Sequence, residues 1–122
     1  NTILVNDTHA IVSSDFSTEE MRKIEKIMDV KIKKIEIAES NVPGAYGILT
    51  NKGAIFGSIT SDPSVEELEK YLKIEVGIGT ISTGSSIISS GVIANSNGFL
   101  VSDNSSGFEI GRVDESLGFI GK

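Results

Sequence analysis

The chain has 122 residues, 39% of them apolar, and a formal charge of -6 from 17 acidic and 11 basic side chains. A chain of this length buries about two thirds of its unfolded surface, enough for one core. The lack of cysteine removes disulfides and thiolate metal sites, the single histidine leaves little for zinc, and the acidic balance excludes a Lys/Arg surface as the main source of affinity for free nucleic acid.

No apolar run approaches the roughly 20 residues of a bilayer span, and no basic-then-apolar leader opens the chain. A soluble, cytoplasmic protein is expected, and a start at Asn1 rather than methionine points to residues upstream.

From the N-terminus, Leu4-Val5-Asn6-Asp7-Thr8-His9-Ala10-Ile11-Val12 places two apolar runs around a polar centre. This is the pattern of a tight hairpin whose turn takes positive φ. Ser17-Thr18-Glu19-Glu20 then reads as a capping box. Met21, Ile24, Ile27 and Met28 share one face of the helix it starts, opposite Arg22, Lys23 and Lys26. A strand follows over Val30 to Ile37, where Ile32 and then Ile35 and Ile37 change parity, predicting a bulge near Lys33-Lys34.

The pattern recurs after the polar joint Glu39 to Gly44. Leu49-Thr50-Asn51-Lys52-Gly53-Ala54-Ile55-Phe56 predicts a second hairpin. Ser64-Val65-Glu66-Glu67 reads as a second capping box, with Val65, Leu68 and Leu72 inward and Glu69 and Lys70 solvated. Ile74, Val76 and Ile78 alternate with Glu75, Gly77 and Gly79 as a half-buried strand within Ile74 to Ile81. Beyond the loop Ser82-Thr83-Gly84-Ser85-Ser86 comes a third hairpin over Ile93 to Val101, centred on Asn95-Ser96-Asn97-Gly98. Ile110, Val113 and Leu117 then keep helical spacing, although Gly107 and Gly111 oppose a helix there.

Asn6, Asn51 and Asn95 mark a period of about 45 residues. The expected fold is therefore an α/β (α+β) repeat, one domain built of ββαβ units over 1–43, 44–87 and 88–122. Such units bury a continuous core only by stacking, and a closed, propeller-like ring removes exposed sheet edges.

The sequence resembles the translation initiation factor 6 family. The resemblance is carried by Val5-Asn6-Asp7, Thr50-Asn51-Lys52-Gly53, Val76-Gly77-Ile78-Gly79-Thr80-Ile81, Gly91 through Gly98, and Glu109 through Ile120, in order along the whole chain. It implies a pentein, a ring of five such repeats with helices outside, of which this chain holds the last three. The short tail at Gly121-Lys122 resembles archaeal members. An open arc exposes edges at both ends, so an oligomer or a further segment is expected to cover them.

The resemblance also implies the function: binding the large ribosomal subunit near the sarcin-ricin loop and sterically preventing small-subunit joining. Ribosomal proteins with basic tails are the expected main contact, ribosomal RNA a minor one, and no cofactor or metal is implied. The asparagine turns would line one rim, so Asn6, Asp7, Asn51, Lys52, Asn95 and Asn97 are the candidate contacts, followed by Thr83, Gly84 and Ser85 in the adjoining loop. The bland alternative is that each asparagine simply makes its turn.

Pentein relatives include amidino-group enzymes with a cysteine nucleophile. Here there is no cysteine, no Gly-x-Ser-x-Gly elbow, and His9 reads as an ordinary turn residue, so no catalytic residue is assigned. A pentein enzyme with its nucleophile elsewhere and a purely structural assembly module are the rival readings. Gly77-Ile78-Gly79 lacks the rest of a dinucleotide fingerprint. The sequons at Asn6 and Asn104 carry no weight in a cytosolic chain, and Glu66, Glu67 and Glu69 read as a solvated first helical turn.

Overall fold

The computed structural model describes residues 1–120, and the tail at Gly121-Lys122 lies outside them. Strands β1 (Ile3–Val5) and β2 (His9–Val12) form an antiparallel hairpin. Helix α1 (Thr18–Met28) crosses over, and β3 (Lys31–Lys34) returns parallel to β2. After the short helix α2 (Pro43–Tyr46) the succession recurs as β4 (Gly47–Leu49), β5 (Gly53–Gly57), α3 (Asp62–Leu72) and β6 (Glu75–Gly79). A 3-10 turn at Ile88–Ser90 leads to β7 (Val92–Asn95), β8 (Gly98–Val101) and α4 (Gly107–Ser116). The sheets run β1-β2-β3, β4-β5-β6 and β7-β8.

The helix ends follow local chemistry. Ser17 caps α1 as expected: Glu20 N–H donates to Ser17 Oγ at 3.1 Å, and Ser17 N–H to Glu20 Oε1 at 2.9 Å. Asp29 and Lys73 close α1 and α3 in the left-handed region, at φ 54° and 57°. The second helix starts earlier than its sequence suggests. Its N-cap is Ser61, whose Oγ accepts from the Ser64 N–H, and Pro63 fits the first turn because no amide partner is needed there. Glu66, Glu67 and Glu69 therefore lie past the first turn, and Glu67 pairs with Lys33 at 3.3 Å. The third helix forms despite its glycines because Ser106 and Glu109 make a capping box that the glycine pattern masks.

No bulge interrupts β3. Its register with β2 stays in step from His9↔Lys31 to Val12↔Lys34, and the parity change marks the strand's end, beyond which Ile35 and Ile37 are buried. Strand β6 is half-buried as expected, with Glu75 exposed and Val76 buried. Val76 faces a core with Leu68 and Leu72 of α3, while Gly77 and Gly79 lie under Ser116 and Arg112 of α4.

Two cores result. In the first, Leu68 and Leu72 of α3 join Ile11, Ile35 and Ile37 on one side to Leu49, Ala54, Phe56 and Val76 on the other. In the second, Val113 and Leu117 of α4 pack with Ile55, Ile81, Ile88 and Val92. Each of these two helices thus packs on its own sheet and on the sheet before it, and each fully buried aliphatic side chain contributes about 1.5–3 kcal/mol. Helix α1 has no buried residue, and Ile27 stays 82% exposed, because no earlier sheet lies against it among the described residues. At the other end Ile93 and Leu100 are 75% and 72% exposed.

Candidate functional site

The three hairpin turns stand side by side, and each is built around one side-chain oxygen. In the first, Asn6 N–H donates to His9 O at 3.0 Å. Asn6 Oδ1 accepts from the amides of Thr8 and His9 at 2.9 and 2.8 Å. In the third, Asn95 Oδ1 accepts from Asn97 and Gly98 at 2.8 and 3.1 Å. In the second, the same work is done by Thr50, whose Oγ1 accepts from Lys52 and Gly53 at 3.1 and 3.2 Å.

Three sequence expectations are corrected here. The counterpart of Asn6 and Asn95 is Thr50, not Asn51, since threonine and asparagine both close such local turns. And the turns need no positive φ: among the described residues that conformation occurs elsewhere, at Asp29, Ala38, Glu39, Lys73, Ser82, Thr83, Gly84 and Gly118. A side-chain acceptor satisfies the turn amides without a left-handed backbone. His9 is likewise not a turn residue but the first residue of β2.

Asn51 has a different task. Its Oδ1 accepts from Asp7 N–H at 2.9 Å, and its Nδ2 donates to Asp7 Oδ2 at 2.8 Å, so it ties the second turn to the first. Asn6 Nδ2 adds a bond to Thr50 O at 3.1 Å, and Asn51 N–H donates to Ser96 Oγ of the third turn at 3.3 Å. The three turns are thus one hydrogen-bonded row. Asn6 and Asn51 spend their amides inside it, whereas Lys52 and Asn97 are exposed on it. The Lys52 ammonium lies 5.3 Å from the Phe119 ring centre.

Beside the first turn, His9 meets Tyr71 edge-on at 4.9 Å between ring centres, and Thr8 Oγ1 lies 2.7 Å from His9 Nδ1. Partial burial, then the charges of Lys31 and Lys73, hold the His9 pKa below its ordinary value. The Tyr71 hydroxyl donates to Ala10 O at 3.0 Å, and burial pushes its pKa up to about 12. Tyr71, Lys31 and Lys73 were not legible as neighbours of the first turn, because they arrive there from the last turn of α3, the start of β3 and the C-cap of α3.

Thr83, Gly84 and Ser85 do not adjoin this row. Strand β6 runs parallel to β5 from Gly53↔Glu75 at the turn end to Gly57↔Gly79 at the far end, and the 82–85 loop follows from there. Its amides are already engaged. Thr83 and Gly84 N–H donate to the two carboxylate oxygens of Glu109, each at 2.9 Å, and Ser85 N–H donates to Ile81 O at 2.8 Å. Glu109 also accepts from Thr80 Oγ1 at 2.5 Å and from Ser106 N–H at 2.8 Å. These bonds, that from Thr80 foremost, lower its pKa to about 2. The Ser106-x-x-Glu109 spacing was the available sequence signal for this residue.

Among the described residues no three His, Asp, Glu or Cys side chains group closely enough to hold a metal ion, and no helix is long and apolar enough to cross a membrane.

The eIF-6 family model matches residues 1–116. The chain is 38% identical over 98% of its length to translation initiation factor 6 of Pyrococcus horikoshii. It is 37% identical over 97% to that of Saccharolobus islandicus, and 31% identical over 98% to that of Haloquadratum walsbyi. In each case it covers 53% of the relative, so the chain spans about half the length of the curated relatives it matches.

Proposed function

Since this chain belongs to the eIF-6 family, we propose that it forms part of a ribosome anti-association factor, one that binds the large ribosomal subunit and sterically prevents the small subunit from joining. In this reading the hairpin–helix–strand units are the last three of five in a pentein ring, within a cytoplasmic protein. The turn row is the docking rim, and no bond is made or broken.

The observation that carries the reading is the cross-linking of the three turns into one row by Asp7, Asn51 and Ser96. A partner surface meets a preformed edge and pays little ordering entropy. Lys52, Asn97 and Asp7 are its exposed polar contacts. With a net charge of -6, the basic tails of ribosomal proteins complement it better than ribosomal RNA does.

The test is co-sedimentation with purified archaeal large subunits, followed by addition of small subunits, using the chain and a version extended to the relatives' length. The expected result is binding that lowers the yield of joined ribosomes and that weakens about tenfold with Asp7→Lys and Asn97→Lys together, about 1.4 kcal/mol. Binding with undiminished joining removes the reading.

A further inference from the structure

Where α3 meets the end of β3 and where α4 meets the end of β6, the molecule uses one construction with one exchange. Lys31 of β3 stands opposite the first residue of β2, and Glu75 of β6 opposite the first residue of β5, so Glu36 and Ile37 take the places of Thr80 and Ile81. Ile37 and Ile81 each begin a bridged turn, in which Ala38 and Glu39 repeat the left-handed backbone of Ser82 and Thr83. Counted from the N-cap serines Ser61 and Ser106, Thr60 matches Ser105 and Ser64 matches Glu109. Carboxylate and hydroxyl have therefore changed places: Glu109 with Thr80 at the second joint, Glu36 with Ser64 at the first.

The exchange leaves the first joint open. At the second, the Ser82 amide donates to Ser105 Oγ at 2.8 Å, and the amides of Thr83, Gly84 and Ser106 donate to Glu109, which closes the loop onto α4. At the first, the amides of Ala38, Glu39 and Ser61 have no acceptor among the described residues. Thr60 Oγ1, which by this match is directed to the Ala38 amide, is without a partner on a residue only 4% exposed. Ser64 Oγ reaches no further than Ser61 Oγ at 3.0 Å and Glu36 O at 3.4 Å.

Between the loop and the helix start lies a groove of about 770 Å³ lined by Glu36, Ala38, Glu39, Ile59, Ser61 and Ser64. Glu36 and Glu39 are exposed and form no ion pair, and no lysine or arginine lines the groove. Ile59 is 57% exposed on its other side. None of the lining residues belongs to α1, β7 or β8, so both walls are complete within the described residues.

We propose that this groove is a docking site for an extended protein segment that carries lysine or arginine next to an aliphatic residue. Its cations pair with Glu36 and Glu39, its backbone carbonyls accept from the open amides, and its aliphatic side chain covers Ile59. The segment thus brings to the first joint the acceptors that Glu109 supplies to the second. An extended peptide combines these three features in alternation, whereas two unpaired carboxylates repel a nucleic-acid backbone or an acidic lipid surface. The groove stands at the end of the strands away from the turn row, so it does not depend on the ribosomal docking proposed above.

The test is titration of the isotope-labelled protein with a hexapeptide of alternating lysine and leucine, blocked at both ends, followed by heteronuclear NMR. The expected result is saturable displacement of the Ala38, Glu39 and Ser61 amide resonances. Glu36→Lys with Glu39→Lys should weaken binding about tenfold. Ile59→Ser should weaken it as well, and these variants should keep the thermal midpoint because the residues are exposed. Glu66→Lys with Glu69→Lys makes the same change of net charge on the solvated face of α3 and should leave affinity within about twofold. Asp7→Lys with Asn97→Lys, which weakens ribosome docking, should leave peptide binding intact, so the two readings fail separately. Equal weakening by the Glu36/Glu39 and Glu66/Glu69 pairs reduces the binding to net charge and overturns the proposal. So does an absence of displacement, or tighter saturation of the same amides by single-stranded RNA or by the matching glutamate-leucine peptide, which makes the groove an anion site.

Discussion

Asp7 and Asn51 hold each other reciprocally across two turns: the Asp7 amide donates to the Asn51 carboxamide, and that carboxamide donates back to the Asp7 carboxylate, at 2.9 and 2.8 Å. Two residues that each sit at the tip of a hairpin thereby fix the distance between hairpins. Both are exposed, so the pair competes with water and its net worth is that of ordinary hydrogen bonds.

Replacing Asn51 by alanine should therefore cost about 1 kcal/mol in urea unfolding. Asn51→Asp should cost more, since it removes the donor and sets a second carboxylate against Asp7. Added salt should recover part of the Asn51→Asp loss and little of the Asn51→Ala loss, because screening acts on charge alone.

Thr50 is the buried counterpart of Asn6 and Asn95. Thr50→Ala strands the Lys52 and Gly53 amides and should cost about 1–3 kcal/mol. Thr50→Asn should retain most of the stability, since asparagine performs this closure in the other two turns. If both variants lose stability equally, the three oxygens are not equivalent.

Glu109 governs the acid limb. Its folded pKa of about 2 lies below the ordinary 4.5, so the unfolded chain takes up this proton first on acidification. The stability Glu109 contributes is complete above pH 4.5 and is lost as pH falls toward 2. Glu109→Gln should lower the thermal midpoint by several degrees at neutral pH and flatten the decline across that acid window, measured by calorimetry at stepped pH.

Tyr71 acts at the opposite limb. Its neutral hydroxyl is favoured in the folded state, with a pKa of about 12 against an ordinary 10, so the stability it contributes begins to fall as pH rises through 10. The chain has two tyrosines, so Tyr46→Phe isolates Tyr71 in an ultraviolet phenolate titration, which should show a midpoint displaced toward 12. Tyr71→Phe should cost about 1 kcal/mol through loss of the bond to Ala10 O.

Gly77 and Gly53 both lie under Ser116, with different neighbours. A Cβ on Gly77 would fall 2.0 Å from Ser116 Oγ and 2.7 Å from its Cβ, whereas one on Gly53 would fall 2.2 Å from its backbone oxygen. Each Gly→Ala substitution should destabilise by about 1–3 kcal/mol. Ser116→Gly should relieve Gly77→Ala beyond the sum of the single effects and leave Gly53→Ala unrelieved, as a double-mutant cycle will show.

Local chemistry was legible in the sequence. Ser17 with Glu20 starts α1, Leu68 and Leu72 mark the buried face of α3, and two apolar runs around a polar centre make each hairpin, because these signals act over a few residues. Where local signals compete, the tertiary context selects one: Ser64 resembles a cap, but Ser61 and Pro63 form a better one. Asn51 resembled Asn6 by name, although hydrogen-bond geometry makes Thr50 its counterpart.

The relations between units were decided by tertiary structure alone. That Asn51 reaches back to Asp7, that the 82–85 loop lies at the far end of the strands and is held by Glu109, and that Ser116 rests on Gly53 and Gly77 are facts of stacking. They depend on backbone oxygens, amides and missing side chains, groups that every sequence contains, so no residue pattern announces them until the sheets and helices are set against one another.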